Sequence, residues 1–146
     1  MKADNYIKIE FPSKSVNEGF ARAAVACFAA SLDPTLDELG DIKTAVSEAV
    51  TNAAVHAYPD AIGRILLRAR IYDGNILEIV IRDWGVGIEN VDKAREPMFT
   101  TGGEDRSGMG FTIMESFMDK LRVRSTKGKG TTVTLTRQIG TKGKQC

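Results

Sequence analysis

Within Ser47–Tyr58, read SEAVTNAAVHAY, a carboxylate (Glu48), a carboxamide (Asn52) and an imidazole (His56) recur every four residues. On a helix turning about 100° per residue they drift only about 80° and form one polar stripe beside an apolar one. A polar row at the edge of what a helix buries calls for a partner. By itself it is also compatible with a solvated helix face on which Asn52 caps something local.

Two glycine-bearing segments could supply that partner's cradle. Asp83-Trp84-Gly85-Val86-Gly87 follows directly on an apolar strand, where glycines two apart let a backbone approach a ligand or adopt positive φ. Arg106-Ser107-Gly108-Met109-Gly110-Phe111 puts two more glycines just before a helix, whose N-terminus offers free N–H groups to an anion. Singly, either is also an ordinary loop or turn. The G-x-x-x-x-G-K-[ST] phosphate loop and the dinucleotide G-x-G-x-x-G fingerprint are absent.

The elements that must position these residues follow from periodicity and caps. Tyr6 to Phe11 alternates and predicts a strand with Ile7, Ile9 and Phe11 on one face. Ser15 and Glu18 have capping-box spacing and predict a first helix burying Phe20, Ala24, Cys27, Phe28 and Leu32. Thr35 and Glu38 repeat that spacing ahead of a second helix, which carries Leu36, Leu39, Ile42, Val46, Ala49, Val50 and Ala53 inward and runs to about His56. Ile65–Tyr72 and Ile76–Arg82 flank Asp73-Gly74 as a hairpin whose Arg68, Arg70, Glu78 and Arg82 face water. A third helix from Phe111 to about Lys120 and a closing hairpin through Lys127–Gly130 complete a β-α-α-β-β-loop-α-β-β order. The expected fold is α+β: one antiparallel or mixed sheet covered by helices on one face.

At 146 residues the chain is expected to be a single domain, 1–146. A net charge of +1 shows no bias toward nucleic acid or membrane. The start, MKADNYIKIEF, alternates instead of forming a signal peptide, and no apolar run approaches the roughly 20 residues of a bilayer span, so a cytoplasmic location is expected. Cys27 and Cys146 lack metal-ligand spacing; Cys27 is expected in the core and Cys146 as an exposed free thiol.

Taken in order, E-x-x-x-N on a helix, D-x-G-x-G after a strand and G-x-G at another helix resemble the nucleotide-binding fold of gyrase, Hsp90, histidine kinases and MutL. That resemblance implies a two-layer α/β sandwich with a mixed, mostly antiparallel sheet. SEAVTNAAVHAY, REPMFTT and RSGMGFTIMESFMD resemble segments of the anti-sigma-F group of sporulating bacteria, small serine kinases that act as anti-sigma factors.

The resemblance implies ATP or ADP as cofactor, with Asn52 helping to coordinate Mg2+ and Asp83 accepting a hydrogen bond from the adenine amino group. Guanine presents a carbonyl there, so GTP should be rejected. Gly85 and Gly87 match the glycines that let base and ribose pack on backbone, Gly108 and Gly110 those under the phosphates, and Thr132 a hydroxyl at the adenine end. Residues from about 95 to 110 form the implied lid, from which Arg106 would reach the terminal phosphate. Glu48 would orient or deprotonate a substrate serine, and Trp84 would report on an occupied adenine pocket.

The implied partners are the sigma-F factor, an anti-anti-sigma protein as phosphoacceptor, and a second copy in a homodimer, with Arg22 on the partner surface. Nothing resembles the phosphoacceptor helix of a histidine kinase. A kinase for a general-stress sigma factor and a nucleotide-responsive binding module without catalysis are the alternatives.

Overall fold

A computed structural model of the chain describes residues 2–96 and 107–140. Five strands form one antiparallel sheet in the order β1-β2-β3-β5-β4: β1 (Asn5–Pro12), β2 (Arg64–Tyr72), β3 (Ile76–Asp83), β4 (Lys120–Thr126) and β5 (Gly130–Gln138). Every pairing is antiparallel, so the mixed sheet implied by the resemblance is not observed among the described residues. The helices α1 (Asn17–Ala29), α2 (Leu36–Val55) and α4 (Ser107–Phe117), with the one-turn α3 (Val91–Ala94), complete the order.

α2 begins as its sequence dictates. Thr35 Oγ1 accepts from Glu38 N–H (3.1 Å) and Thr35 N–H donates to Glu38 Oε1 (2.9 Å), closing the capping box. Glu38 Oε2 also accepts from Gly140 N–H (3.0 Å), which ties the start of α2 to the chain just beyond β5. Burial pushes the Glu38 carboxyl up, but the bonds from Thr35 and Gly140 outweigh it and hold it below its ordinary value. Leu36, expected inside, is 87% exposed because it occupies the first helical position, ahead of the buried stripe from Ile42 to Ala53.

α1 departs from expectation in cap and face. No side chain caps it; Glu18 instead reaches Arg22 (3.1 Å) and accepts from the Ser47 hydroxyl of α2. The buried residues are Ala21, Val25 and Ala29, while Phe20 and Cys27 lie outward. An alanine-rich helix is apolar on nearly every side, and close approach to α2 selects the face with the smallest residues.

The core lies between the helices and one sheet face, with Val25, Val46, Val50 and Met114 against Ile65, Leu67, Leu77, Ile79 and Leu135. Alternation turns Arg68, Arg70, Glu78 and Arg82 to the opposite face, as the hairpin pattern required. No helix among the described residues is long and apolar enough to cross a membrane.

Candidate functional site

A cleft of about 730 Å3 opens where α2, the ends of β3 and β5, the 87–94 segment and α4 meet. Asn52 and His56 enter it from α2, Asp83 from the end of β3, and Thr131 from the start of β5. Apolar walls come from Ala53, Ile81, Ile88 and Phe111. A mostly apolar cleft with a few convergent polar groups is the ordinary form of a small-molecule site.

Asp83 is 6% exposed, and both hydrogen bonds it accepts go to one oxygen: Gly85 N–H (3.0 Å) and Thr131 N–H (3.1 Å) reach Oδ1. Among the described residues no donor reaches Oδ2. Burial raises the carboxyl above its ordinary value, against the lowering effect of those two N–H groups. A buried acceptor with an open oxygen in a cleft calls for a donor from a ligand.

The backbone around Asp83 is fixed from three sides. Val86 N–H donates to Ala57 O (2.8 Å) at the end of α2, and Gly128 N–H donates to Val86 O (2.6 Å). Trp84 N–H donates to the Tyr58 hydroxyl (2.7 Å), which itself donates to Arg64 O (2.6 Å). These approaches decide the glycines: a Cβ on Gly85 would stand 2.1 Å from Ala57 O, and one on Gly87, whose φ is +77°, 2.2 Å from Thr126 O. Gly87 lines the cleft and Gly85 packs beneath it, so what excludes a side chain at either is neighbouring backbone.

Gly108 and Gly110 belong to the first turn of α4, which starts one turn earlier than the sequence pattern suggested. A Cβ on Gly110 would lie 3.1 Å from Asn52 Nδ2 and 3.2 Å from its Oδ1, so α4 passes close beside that amide. Glu48 sits one turn before Asn52 on α2, half-buried, and is not among the cleft-lining residues. His56, at the end of α2, lines the cleft; partial desolvation holds its imidazole below its ordinary value.

Two expectations need correction. Thr132 points to the outer sheet face, opposite Arg82 and Arg124; strand alternation puts Thr131 at the cleft instead. Trp84 is not a cleft residue, because its ring lies under the guanidinium groups of Arg64 (3.7 Å) and Arg82 (4.6 Å). Arg22, part-exposed on α1, is bonded to Glu18 (3.1 Å) and donates to Ser47 Oγ (3.3 Å). Arg106, residues 97–106 of the expected lid, and Cys146 lie outside the described residues.

The sequence reading missed Tyr58 and Ser125. Ser125 Oγ accepts from Ile88 N–H (2.7 Å) and meets Thr131 Oγ1 (2.7 Å), joining the cleft's outer wall to the closing hairpin. Tyr58 stood only as part of a helix-ending Tyr-Pro-Asp, and nothing local to it marks Trp84 as its partner.

A helix-borne asparagine, a buried aspartate after a central strand and a glycine-opened helix around one cleft define a histidine kinase-like ATPase domain, and the model of that family matches residues 11–137. Within it the chain belongs to the anti-sigma F factor family. It is 57% identical to the anti-sigma F factor of Caldanaerobacter subterraneus over 141 residues, 96% of this chain and 98% of that one. It is 57% identical to the Clostridium kluyveri anti-sigma F factor over 129 residues, 88% and 90% of the two chains. The fold is shared with the RsbU and RsbW domains of a Mycobacterium tuberculosis protein, at TM-score 0.67 and 21% identity over 92% of this chain and 32% of that one.

Proposed function

We propose that this chain is an anti-sigma factor and ATP-dependent protein serine kinase, which holds the sporulation sigma-F factor away from RNA polymerase and phosphorylates a serine of an anti-anti-sigma protein. The observation that carries the nucleotide half is Asp83, whose Oδ2 is left without a donor inside the cleft. The adenine amino group is the donor it lacks, with Thr131 beside it. Support for the antagonist half is the name its close relatives carry.

The cleft's residues fit a magnesium-bound triphosphate. Among the described residues no group of three His, Cys, Asp or Glu could hold a metal alone, and Mg2+ commonly takes few protein ligands plus phosphate oxygens and water. Asn52 would be its protein ligand, and the first turn of α4 through Gly108 and Gly110 would receive the phosphates. When bound, magnesium neutralises charge that accumulates on the phosphates during transfer.

Glu48, one turn along α2 from Asn52, would hold the attacking serine hydroxyl and take its proton, a task for which an ordinary carboxylate suffices. Arg106 and the segment from about 95 to 110 would close over the phosphates. A second copy would pair through the outward face of α1, where Phe20 is 59% and Val16 79% exposed beside Cys27, with Arg22 at the margin of the partner surface.

The test has two stages. A fluorescent ATP analogue should bind saturably with magnesium and be displaced by ATP at least about 100-fold better than by GTP. Transfer of labelled γ-phosphate to an anti-anti-sigma protein should then fall at least about 100-fold in Glu48→Gln while analogue binding is kept. Equal displacement by GTP would remove Asp83 as the adenine acceptor. Undiminished transfer by Glu48→Gln would remove it as the base, and no transfer by the parent chain would leave a nucleotide-responsive binding module.

A further inference from the structure

The sheet face turned away from the helices concentrates positive charge that the chain as a whole, at +1, does not show. Arg68 of β2 stands directly across from Lys8 of β1. Thr132 of β5 lies between Arg82 of β3 and Arg124 of β4, and Arg122 lies opposite Thr134. The face's two glutamates are already engaged: Glu10 with Arg64 (3.9 Å) and Glu78 with Arg70 (3.6 Å). Among the described residues no carboxylate pairs with Lys8, Arg68, Arg82, Arg122 or Arg124.

Lys8 and Arg68 are a like-charged pair in direct register, while threonines separate the other cations. Like charges directly opposite on neighbouring strands repel, and carboxylates at alternate positions would relieve them. Arg68 Nε is buried without an acceptor among the described residues, which leaves the rest of its guanidinium to meet a partner. A face carrying mostly one sign of charge raises the local concentration of an oppositely charged partner.

The composition indicates which class of partner. Arginine, tyrosine and tryptophan are the residues enriched at protein–protein hot spots, and here the arginines lie with Tyr6, 66% exposed on edge strand β1, and Trp84. A single-stranded nucleic acid would need a row of open aromatic rings for its bases. Trp84 is already covered by two guanidinium groups, which leaves Tyr6 as the exposed ring among the described residues of this face. A second copy of the same face would bring cation against cation.

We propose that the outer sheet face docks an acidic surface or segment of a partner protein, with Arg68, Arg122 and Arg124 as its charge contacts and Thr132 and Thr134 as hydrogen-bonding groups between them. The surface lies across the sheet from the cleft and apart from Arg22 of α1. Charge complementarity of this kind favours fast, salt-sensitive association.

A glutamate-rich peptide is the probe, against its glutamine counterpart and an oligothymidylate, at near-physiological ionic strength. Trp84 is the single tryptophan, and Arg82, opposite the contact residue Thr132, lies over its ring, so its emission reports when an anion docking there draws Arg82 away. The glutamate peptide should bind saturably and change that emission, the glutamine peptide should not, and Arg68→Glu/Arg122→Glu should weaken binding by at least about tenfold with its unfolding midpoint retained. Arg122→Gln/Arg124→Gln, on the edge strand, gives the same reading if the first variant does not fold. No binding by the parent chain, or equal binding by the folded variants, overturns the proposal. Tighter binding of the oligothymidylate, lost in the same variants, overturns it in favour of a nucleic-acid face.

Discussion

At the residue scale, Asp83 meets two opposed demands: it is buried in the cleft wall, yet it must keep an oxygen open. Oδ1 is spent on Gly85 and Thr131, and burial raises its pKa. Asp83→Asn keeps an oxygen for those two N–H groups and turns a donor toward the adenine amino group. Affinity for the fluorescent ATP analogue should therefore fall about 10- to 100-fold. The sign for stability is opposite. A carboxyl with a raised folded pKa costs stability when ionised, and the cost disappears as pH falls from above that pKa to below the unfolded value of 3.8. The variant's melting temperature should exceed the parent's at neutral pH and lose that lead toward pH 3.8; a lead independent of pH would contradict the assignment. Asp83 and Asn52 were legible in the sequence because each sits in a short motif. Thr131 was not, since a one-residue error in a strand reverses the face.

At the element scale, α2 carries the site and announces itself: capping box, stripe and Tyr-Pro-Asp stop are all local signals. It also contains an unexplained weakness. Gly40 is exposed within the helix, with negative φ and nothing within 4 Å of where its Cβ would be. Gly40→Ala should stabilise the fold by about 0.5–1 kcal/mol through reduced freedom of the unfolded chain. Thermal denaturation would show a rise of roughly 1–4 °C, and a fall would mean that the glycine serves a contact outside this chain. The faces of α1 were not legible, because alanines on both sides give periodicity little to choose between, and the tie from Glu18 to Ser47 joins residues 29 apart in sequence. The start of α4 was misplaced for a related reason: glycine argues against helix locally, yet at Gly110 the helix passes so near the Asn52 amide that a Cβ would press on it.

At the scale of the whole molecule, the helix layer presents an apolar outer stripe on α1, the sheet presents cations, and the cleft opens between the layers. If the α1 stripe holds two copies together, Phe20→Glu should convert dimers to monomers in sedimentation while circular dichroism stays that of the folded parent, with a melting temperature lowered by the lost association. Dimers that persist unchanged would place the contact elsewhere. The sequence by itself determined the order of the strands and main helices, the capping of α2, the hairpin at Asp73-Gly74 and the motif residues Asn52, Asp83 and Gly87 that line the cleft. Each rests on interactions within a few residues, and those a sequence displays. Only the tertiary structure decided the strand order β1-β2-β3-β5-β4, the face of α1, the choice of Thr131 over Thr132 and the meeting of Lys8, Arg68, Arg82 and Arg124 on one surface. Those depend on which distant segments pair, and pairing is set by the packing of the whole core, which no local pattern records.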